Sequence, residues 1–522
     1  MSKAFDFIIV GAGSAGCVLA GRLSEDPNVR VLLLEAGNAR EPLASRVPAA
    51  FSKLFKTRHD WAFVSEPEPA LGGRRLYIPR GKLLGGSSAM NAMIYMRGNP
   101  LDYDRWASLG GDGWSYADVL PFFMRAEDQA RGANPAHGTG GRLRVEDLLC
   151  VNPLSTAFVT ACEQIGIPRN DDFNSGTQDG AGFYQVTQKC GRRWSAANAY
   201  LFPALRRPNL AVKSGVHVAR IVFEGKRASG VEYIEKNGQR RTTSAEREIV
   251  LAAGAIGSPQ LLLLSGIGPT DELARHRIPV VARLDGVGEN LQDHPFAGVA
   301  YHCKEPVSLL NAEGPGALFR YLFGRRGPLT SNVAEAGAFV RSAKGLDAPD
   351  IQFHFAPAFY LEHGFTKPPG HGFSIGPTLV APTSRGRIRL RSADPTAAPL
   401  IVGNVLSQEA EMAALVAGLR LARTIAAAEA FEPFRGSEYL PGDDAQSDAA
   451  LTAHVRASAE LLYHPCGTCK MGKDDLAVVD PELRVRGVAG LRVADASVMP
   501  VVTRGNTNAP TMMIAERLSS LL

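Results

Sequence analysis

One histidine and one asparagine near the end of the chain have the types and the setting of an acid–base pair. His464 stands in Tyr-His-Pro-Cys-Gly-Thr-Cys-Lys-Met-Gly (463–472), and Asn506 in Gly-Asn-Thr-Asn-Ala-Pro-Thr (505–511), which opens a final helix. Imidazole, with an unperturbed pKa of about 6.5, offers a neutral base near neutral pH. A carboxamide can donate a hydrogen bond to an oxygen that is gaining charge. Taken alone, a single histidine is more often a satisfied core residue than a catalyst. The reason to read it otherwise lies at the opposite end of the chain, where residues 11–35 have the pattern of a dinucleotide site. If the two ends meet, the tail brings a proton acceptor and a hydrogen-bond donor to a redox cofactor.

The turn Gly11-Ala-Gly13-Ser14-Ala15-Gly16 follows a strand expected over 5–10 and opens a helix expected over 14–23. In such a turn the first glycine permits the sharp bend, the second lets a pyrophosphate approach, and the third lets helix and strand pack closely. The free N–H groups of the helix N-terminus suit the phosphates. Glu35, closing a second strand expected over 29–35, can accept hydrogen bonds from an adenosine ribose. The loop alone does not separate NAD from FAD, although its N-terminal position and the following Ala36 and Gly37 lean towards FAD.

Positioning these residues takes a large scaffold. With 522 residues the chain exceeds what one core usually serves, so two closely associated domains are expected. A net charge of +5, with scattered basic residues, gives no support for a nucleic-acid partner. Seven widely spaced cysteines argue against a disulfide framework and for a reducing, cytoplasmic setting. The apolar stretch 7–20 is glycine-interrupted and reads as strand–turn–helix rather than a leader. No run long enough to span a membrane follows, which leaves peripheral membrane contact open.

Strands are expected at 210–212, 217–223, 230–233 and 248–252, with 236–247 as a polar hairpin connection. From about residue 297 short apolar pieces at 298–302, 350–355, 373–380 and 386–391 read as an antiparallel sheet. Helices are expected over 409–427 and 449–460. The fold class is a doubly wound, Rossmann-like domain with an interleaved substrate domain, an antiparallel sheet flanked by helices. Its segments are 1–150, 196–296 and 459–522 for the dinucleotide domain, and 151–195 and 297–458 for the other.

Two internal segments carry a family resemblance. Arg80-Gly-Lys-Leu-Leu-Gly-Gly-Ser-Ser-Ala-Met-Asn91 resembles the first signature of the glucose–methanol–choline (GMC) oxidoreductases, FAD-dependent enzymes that oxidise alcohols. Gly254-Ala-Ile-Gly-Ser-Pro-Gln-Leu-Leu-Leu-Leu-Ser-Gly-Ile-Gly268 resembles the second. With the first glycine turn and the tail, the similarity spans essentially the whole chain. It implies that Gly85, Gly86, Ser87 and Asn91 lie along the pyrophosphate and flavin, with Ala92 and Met93 close to the isoalloxazine. Val216, placed in a strand over 215–218, would contact adenine through its backbone. Asp495 and Ala496 would stand beside the ribityl and phosphate region.

The same resemblance implies that His464 takes the hydroxyl proton of an alcohol and that Asn506 steadies the oxygen. Thr507 and Asn508 would offer backbone N–H groups to the flavin, with either residue capping the final helix and Pro510 in its first turn. Some relatives attach FAD to a histidine immediately before the position of Asn91. Here that residue is Met90, whose thioether cannot form the linkage, so FAD is expected to be non-covalent. Glu335 and His354 align with positions facing the substrate, with a structural acid and a core histidine as the alternatives for them. His294 is expected to be structural. Cys466 and Cys469 have redox-motif spacing but occupy turn positions of the family pattern, and no second ligand pair follows for a metal. The expected reaction is oxidation of a primary alcohol to an aldehyde, with a quinone, a carrier or oxygen accepting the electrons. An oxidase producing hydrogen peroxide and a flavin-containing hydroxynitrile lyase are the alternatives.

Overall fold

A computed structural model describes residues 5–522; the first four residues of the segment 1–150 lie outside it. β1 (Phe5–Val10), α1 (Ser14–Leu23) and β2 (Val31–Glu35) form the expected strand–helix–strand unit. β2 begins at Val31 rather than at 29, because the Val29 N–H closes a turn on the Asp26 carbonyl and the Arg30 N–H bonds the Asp6 carboxylate. β1 and β2 pair in parallel, Phe7 opposite Val31 through Val10 opposite Leu34. Leu210–Ser214 adds outside β2, and β3 (Arg240–Leu251) adds on the other side of β1, both parallel. β2 is buried along its whole length, as a strand covered on both faces by helices must be.

β3 corrects the hairpin expected over 236–247. The turn is confined to 235–239, where the Glu235 and Gln239 backbones bond each other, and β3 is one 12-residue strand. Its first half pairs antiparallel with Arg227–Ile234, which in turn pairs with His217–Glu224. The first half of β3 is itself mostly solvent-exposed, so a polar run is compatible with strand there. The last three residues of β3 are buried in the parallel sheet, and α2 (Gly254–Leu264) leaves from its end.

The second sheet is antiparallel throughout. Its order is Arg435–Leu440, Val299–Cys303, Gly372–Leu379, Ile351–Ala356, Ala336–Val340 and Gly180–Phe183. α3 (Pro315–Gly324) is carried on the connection between Val299–Cys303 and Ala336–Val340. α4 (Glu409–Ala427) covers one face, as expected, and Gly418 allows it close: a Cβ there would stand 2.7 Å from the Pro377 side chain. Leu415, Leu419 and Ile425 are fully buried in this contact, each stabilising the sheet–helix packing by about 1.5–3 kcal/mol. The piece expected at 386–391 is not part of this sheet. Arg387–Arg389 pairs instead with Leu400–Val402 in a separate ribbon. The helix expected over 449–460 runs Asp448–Ser458, started by the Ser447 hydroxyl accepting the Ala450 N–H, and Glu460–Leu461 returns to the sheet as a strand.

The tail then rejoins the first sheet. Leu491–Val493 pairs in parallel with β3, Leu491 opposite Ile249. α5 (Asn508–Ser519) packs on α1, and its buried Glu516 accepts hydrogen bonds from Arg22 (2.9 Å), Arg125 (2.7 Å) and Tyr200 (2.6 Å). The first and last elements of the chain therefore share one core.

Candidate active site

The N-termini of α1 and α5 meet above the first sheet, where the Ser14 hydroxyl donates to Asn508 Oδ1 at 2.7 Å. Both helices direct unpaired N–H groups and partial positive charge towards the same space. Thr507 occupies the cap position of α5 without a side-chain hydrogen bond, and Pro510 sits in the first turn. At the turn before α1, a Cβ on Gly16 would stand 1.9 Å from the Gly11 carbonyl oxygen, so only glycine lets the helix pack on its own turn. A second loop crosses the first at Gly86 (φ +52°), where a Cβ would stand 2.6 Å from Gly13 Cα.

Around these loops lies a cavity of about 600 Å³. It is lined by Gly11, Gly13, Ser14, Ala15, Glu35, Ala36, Gly86, Ser87, Asn91, Ala92, Met93 and Val216 from the sequence-derived set, and by Asp495, Ala496, Thr507 and Asn508 from the tail. Gly16 and Gly85 stand behind this lining. Val216 falls in the break between two strands rather than within one, with its N–H on the Glu35 carbonyl at 3.0 Å. The Glu35 carboxylate accepts the Ala12 and Gly37 N–H groups at 2.8 and 2.7 Å, and burial pushes it up to about 7. Asp495 accepts the Gly254 N–H and the Ser258 hydroxyl, tying α2 to the tail. Met93 is held at φ +59°, a conformation costly for a side-chain-bearing residue. The Asn91 side chain sustains it, accepting from the Met93 N–H at 3.0 Å and from Arg193 at 2.7 Å. Two converging helix N-termini, glycine loops in mutual contact and an acid at the end of β2 are the donor set that a dinucleotide requires.

At the far end of the cavity the structure brings His464 and Asn506 together, with Asn506 Nδ2 donating to His464 Nε2 at 3.2 Å. Their protonation follows from a chain of neighbours. The Tyr184 hydroxyl donates to the Phe353 carbonyl at 2.7 Å, so it accepts from Gln352 Nε2 at 3.0 Å. That amide nitrogen also donates to Asn506 Oδ1 at 3.3 Å, which turns the Asn506 NH₂ towards His464. His464 Nε2 therefore carries a lone pair and Nδ1 carries the proton, donated to His294 Nδ1 at 3.0 Å. Burial, with His294, His354 and Arg80 adding to it, holds the His464 imidazole well below its usual range. It is a neutral base.

Backbone restraint completes the arrangement. Tyr463, at φ +68°, is fixed by Arg80, which donates to its carbonyl at 2.6 Å, and by contact of its hydroxyl with His363 at 2.5 Å. One oxygen of Asp293 accepts both the His294 and the His464 N–H at 2.7 Å, and burial pushes this carboxyl up to about 7. His294 is thus not remote from the site: its ring hydrogen-bonds His464, because the Asp293–His294 turn is clamped to the Tyr463–His464 turn. Gln352, Tyr184, Asp293 and Arg80 were not singled out by sequence reasoning. The one available signal was the pair of His-Pro dipeptides, 294–295 and 464–465.

The two expected substrate residues part company. His354 lines the cavity, its Nδ1 near the Thr378 hydroxyl at 3.1 Å, its Nε2 buried without a partner, and burial pushes it down to about 3. Glu335 does not line the cavity. Its carboxylate is taken up by the Asn152 N–H and the Ser155 and Ser331 hydroxyls, at 2.8, 2.7 and 2.5 Å, so it serves as a structural acid. The wall near His464 is largely aromatic, from Phe51, Phe55, Tyr360 and Tyr463. Met90 lines the same wall. Cys466 and Cys469 are free and buried, and burial pushes both thiols up, away from redox chemistry.

Two family models described as GMC oxidoreductase match residues 5–296 and 382–515. The chain is 45% identical over 532 residues to mitochondrial choline dehydrogenase of Mus musculus, covering 99% of this chain and 89% of that one. It is 44% identical over 526 residues to the alcohol dehydrogenase [acceptor] of Pseudomonas putida, covering 99% and 95%. Among solved structures, pyridoxine 4-oxidase from Mesorbium loti superposes with a TM-score of 0.91 at 34% identity, covering 99% of both chains. Formate oxidase of Aspergillus oryzae RIB40, in its R554A form, gives 0.94 at 28% identity, over 100% and 98%.

Proposed function

The chain belongs to the GMC oxidoreductase family, and from that premise we propose that it oxidises a primary alcohol to the aldehyde with His464 as the base. It is an oxidoreductase acting on CH–OH donors, and its cofactor is FAD. Bound FAD supplies the two-electron acceptor for the hydride that leaves the carbinol carbon. The hydroxyl O–H breaks towards His464 Nε2, which the Nδ1–H bond to His294 keeps unprotonated and whose lone pair the alcohol takes over from the Asn506 amide. Asn506 Nδ2 donates to the oxygen as its charge grows, and the C=O bond forms as the hydride departs. The observation that carries this reading is the orientation of the two side chains: an unprotonated imidazole nitrogen and an amide N–H at 3.2 Å, both facing the cavity.

Glu335 is spent on three donors and offers no counter-ion to a cationic headgroup, which supports an uncharged alcohol. Electrons pass from the reduced cofactor to a quinone or carrier, a reading supported by the names of the relatives at 44–45% identity. The test is anaerobic mixing with aliphatic, aromatic and amino alcohols, followed by air or a quinone analogue. Bleaching by a neutral primary alcohol, with rapid reoxidation by the quinone, is the expected result. His464→Ala should keep the flavin and lose the bleaching. Cyanohydrin cleavage without bleaching by any alcohol would sink the proposal, and fast reoxidation by air would make the enzyme an oxidase.

A further inference from the structure

α3 is built inside out. Its buried residues are Ala317 and Tyr321, whereas Leu318, Phe319, Leu322 and Phe323 are exposed by 50, 62, 59 and 78%. At about 100° per residue these four fall on one continuous arc of the helix, the side that a surface helix normally fills with polar residues. The Phe319 and Phe323 rings pack against each other at 4.5 Å, which fixes the apolar face as a surface of its own. Arg320 borders the arc, and Arg325 and Arg326 follow directly at the helix end. None of the three has an acidic partner among the described residues.

The feature extends beyond one helix. The Tyr321 hydroxyl donates to the Arg46 carbonyl at 3.2 Å, bringing α3 beside the turn Leu43–Arg46, where Leu43 is 66% exposed. From that turn Ala44 packs into the cluster of Phe51, Leu54, Phe55 and Met90, three of which line the active-site cavity. The exposed face therefore stands next to the cavity wall.

We propose that α3 docks the protein on an anionic lipid bilayer, its Leu and Phe side chains entering the interface and Arg320, Arg325 and Arg326 meeting the headgroups. An exposed helical face of leucine and phenylalanine with arginines at its edge is the composition of an in-plane interfacial helix. A second copy of this chain suits the face poorly, because a two-fold contact through α3 sets three unpaired arginines against three. No helix among the described residues is long and apolar enough to cross a membrane, so the contact is peripheral. The inference rests on the surface alone and stands apart from the identity of the alcohol.

The test is flotation of the FAD-loaded full-length protein with vesicles of phosphatidylcholine alone or mixed with phosphatidylglycerol. The protein should float with the mixed vesicles and not with pure phosphatidylcholine, and raised salt should weaken the association. Replacing both rings, Phe319→Ser with Phe323→Ser, should lower vesicle binding by about tenfold or more. Flavin reduction by a soluble alcohol should stay unchanged in that variant, which shows that it folds. Arg325→Glu with Arg326→Glu should abolish the preference for phosphatidylglycerol. Binding that ignores these substitutions, or its absence on both vesicle types, overturns the proposal. So does a concentration-dependent dimer in sedimentation that Phe319→Ser dissolves.

Discussion

Replacing Gln352 by methionine tests whether the Asn506 amide is oriented by its neighbours. Gln352 is fully buried; its Nε2 holds Asn506 Oδ1 at 3.3 Å and the Tyr184 hydroxyl at 3.0 Å, while its Oε1 has no partner. Methionine has nearly the same shape and removes an oxygen that is already unsatisfied, so folding should be spared. What is lost is the hydrogen bond that keeps the Asn506 NH₂ facing the substrate oxygen. A neutral bond of this kind contributes about 0.5–1.5 kcal/mol, hence a rate of flavin reduction about two- to tenfold lower. Asn506→Ala removes the donor itself and should cost about a hundred- to a thousandfold. Stopped-flow flavin absorbance under anaerobic conditions measures both, at saturating alcohol so that binding is separated from the chemical step. The decisive measurement is the double variant: once Asn506 is alanine, Gln352 has nothing to orient, and Gln352→Met should change the rate no further. Two effects that multiply in the double variant, or no effect of Gln352→Met alone, would refute the orientation argument.

Three further outcomes follow from the structure. Glu516→Gln should lower the unfolding free energy by about 3 kcal/mol in a denaturant titration, since it takes the charge from a fully buried acceptor of two arginines; an unchanged midpoint would contradict that. Burial pushes Glu460 up to about 7, so its folded form keeps a proton that the unfolded chain has already released. Its contribution is complete below about 4 and is lost as pH rises through 7; Glu460→Gln should therefore show a smaller fall in Tm between pH 5 and pH 8 than the parent. Acid precipitation should leave the yellow colour in solution, because Met90 stands where a linking histidine would be needed; colour in the pellet would show a covalent bond elsewhere.

The elements around the cofactor were legible because each uses local rules. Gly11, Gly13 and Gly16 between a strand and a helix, with Glu35 closing the next strand, encode their geometry in adjacent residues. So does α4, whose bounds the apolar periodicity gives directly. The strand Arg240–Leu251 was not legible, since its first half is mostly solvent-exposed and its polar side chains carry no period. The residues that set the protonation of His464 were hidden for a different reason. Gln352 lies on one strand of the second sheet, Tyr184 just past the end of another two places away, and Asp293 on a turn far away in sequence, so only the packed fold brings them to the histidine. For Glu335 the aligned motif leaves a substrate-facing and a structural role equally open, and nothing local records that Asn152, Ser155 and Ser331 claim its oxygens.

The closure of the chain on itself has a consequence for biogenesis. β1 pairs early with β2 but finds its second parallel neighbour only when β3 has emerged from the ribosome, and β3 gains Leu491–Val493 later still. The Ser14–Asn508 contact and the Arg22–Glu516 pair form last of all. The nucleotide site is therefore complete only once α5 has been made, because the two helix N-termini that face it come from opposite ends of the chain. A nonsense change before residue 464 removes the base, the amide and the last helix together, and one between 465 and 505 still removes the amide and that helix.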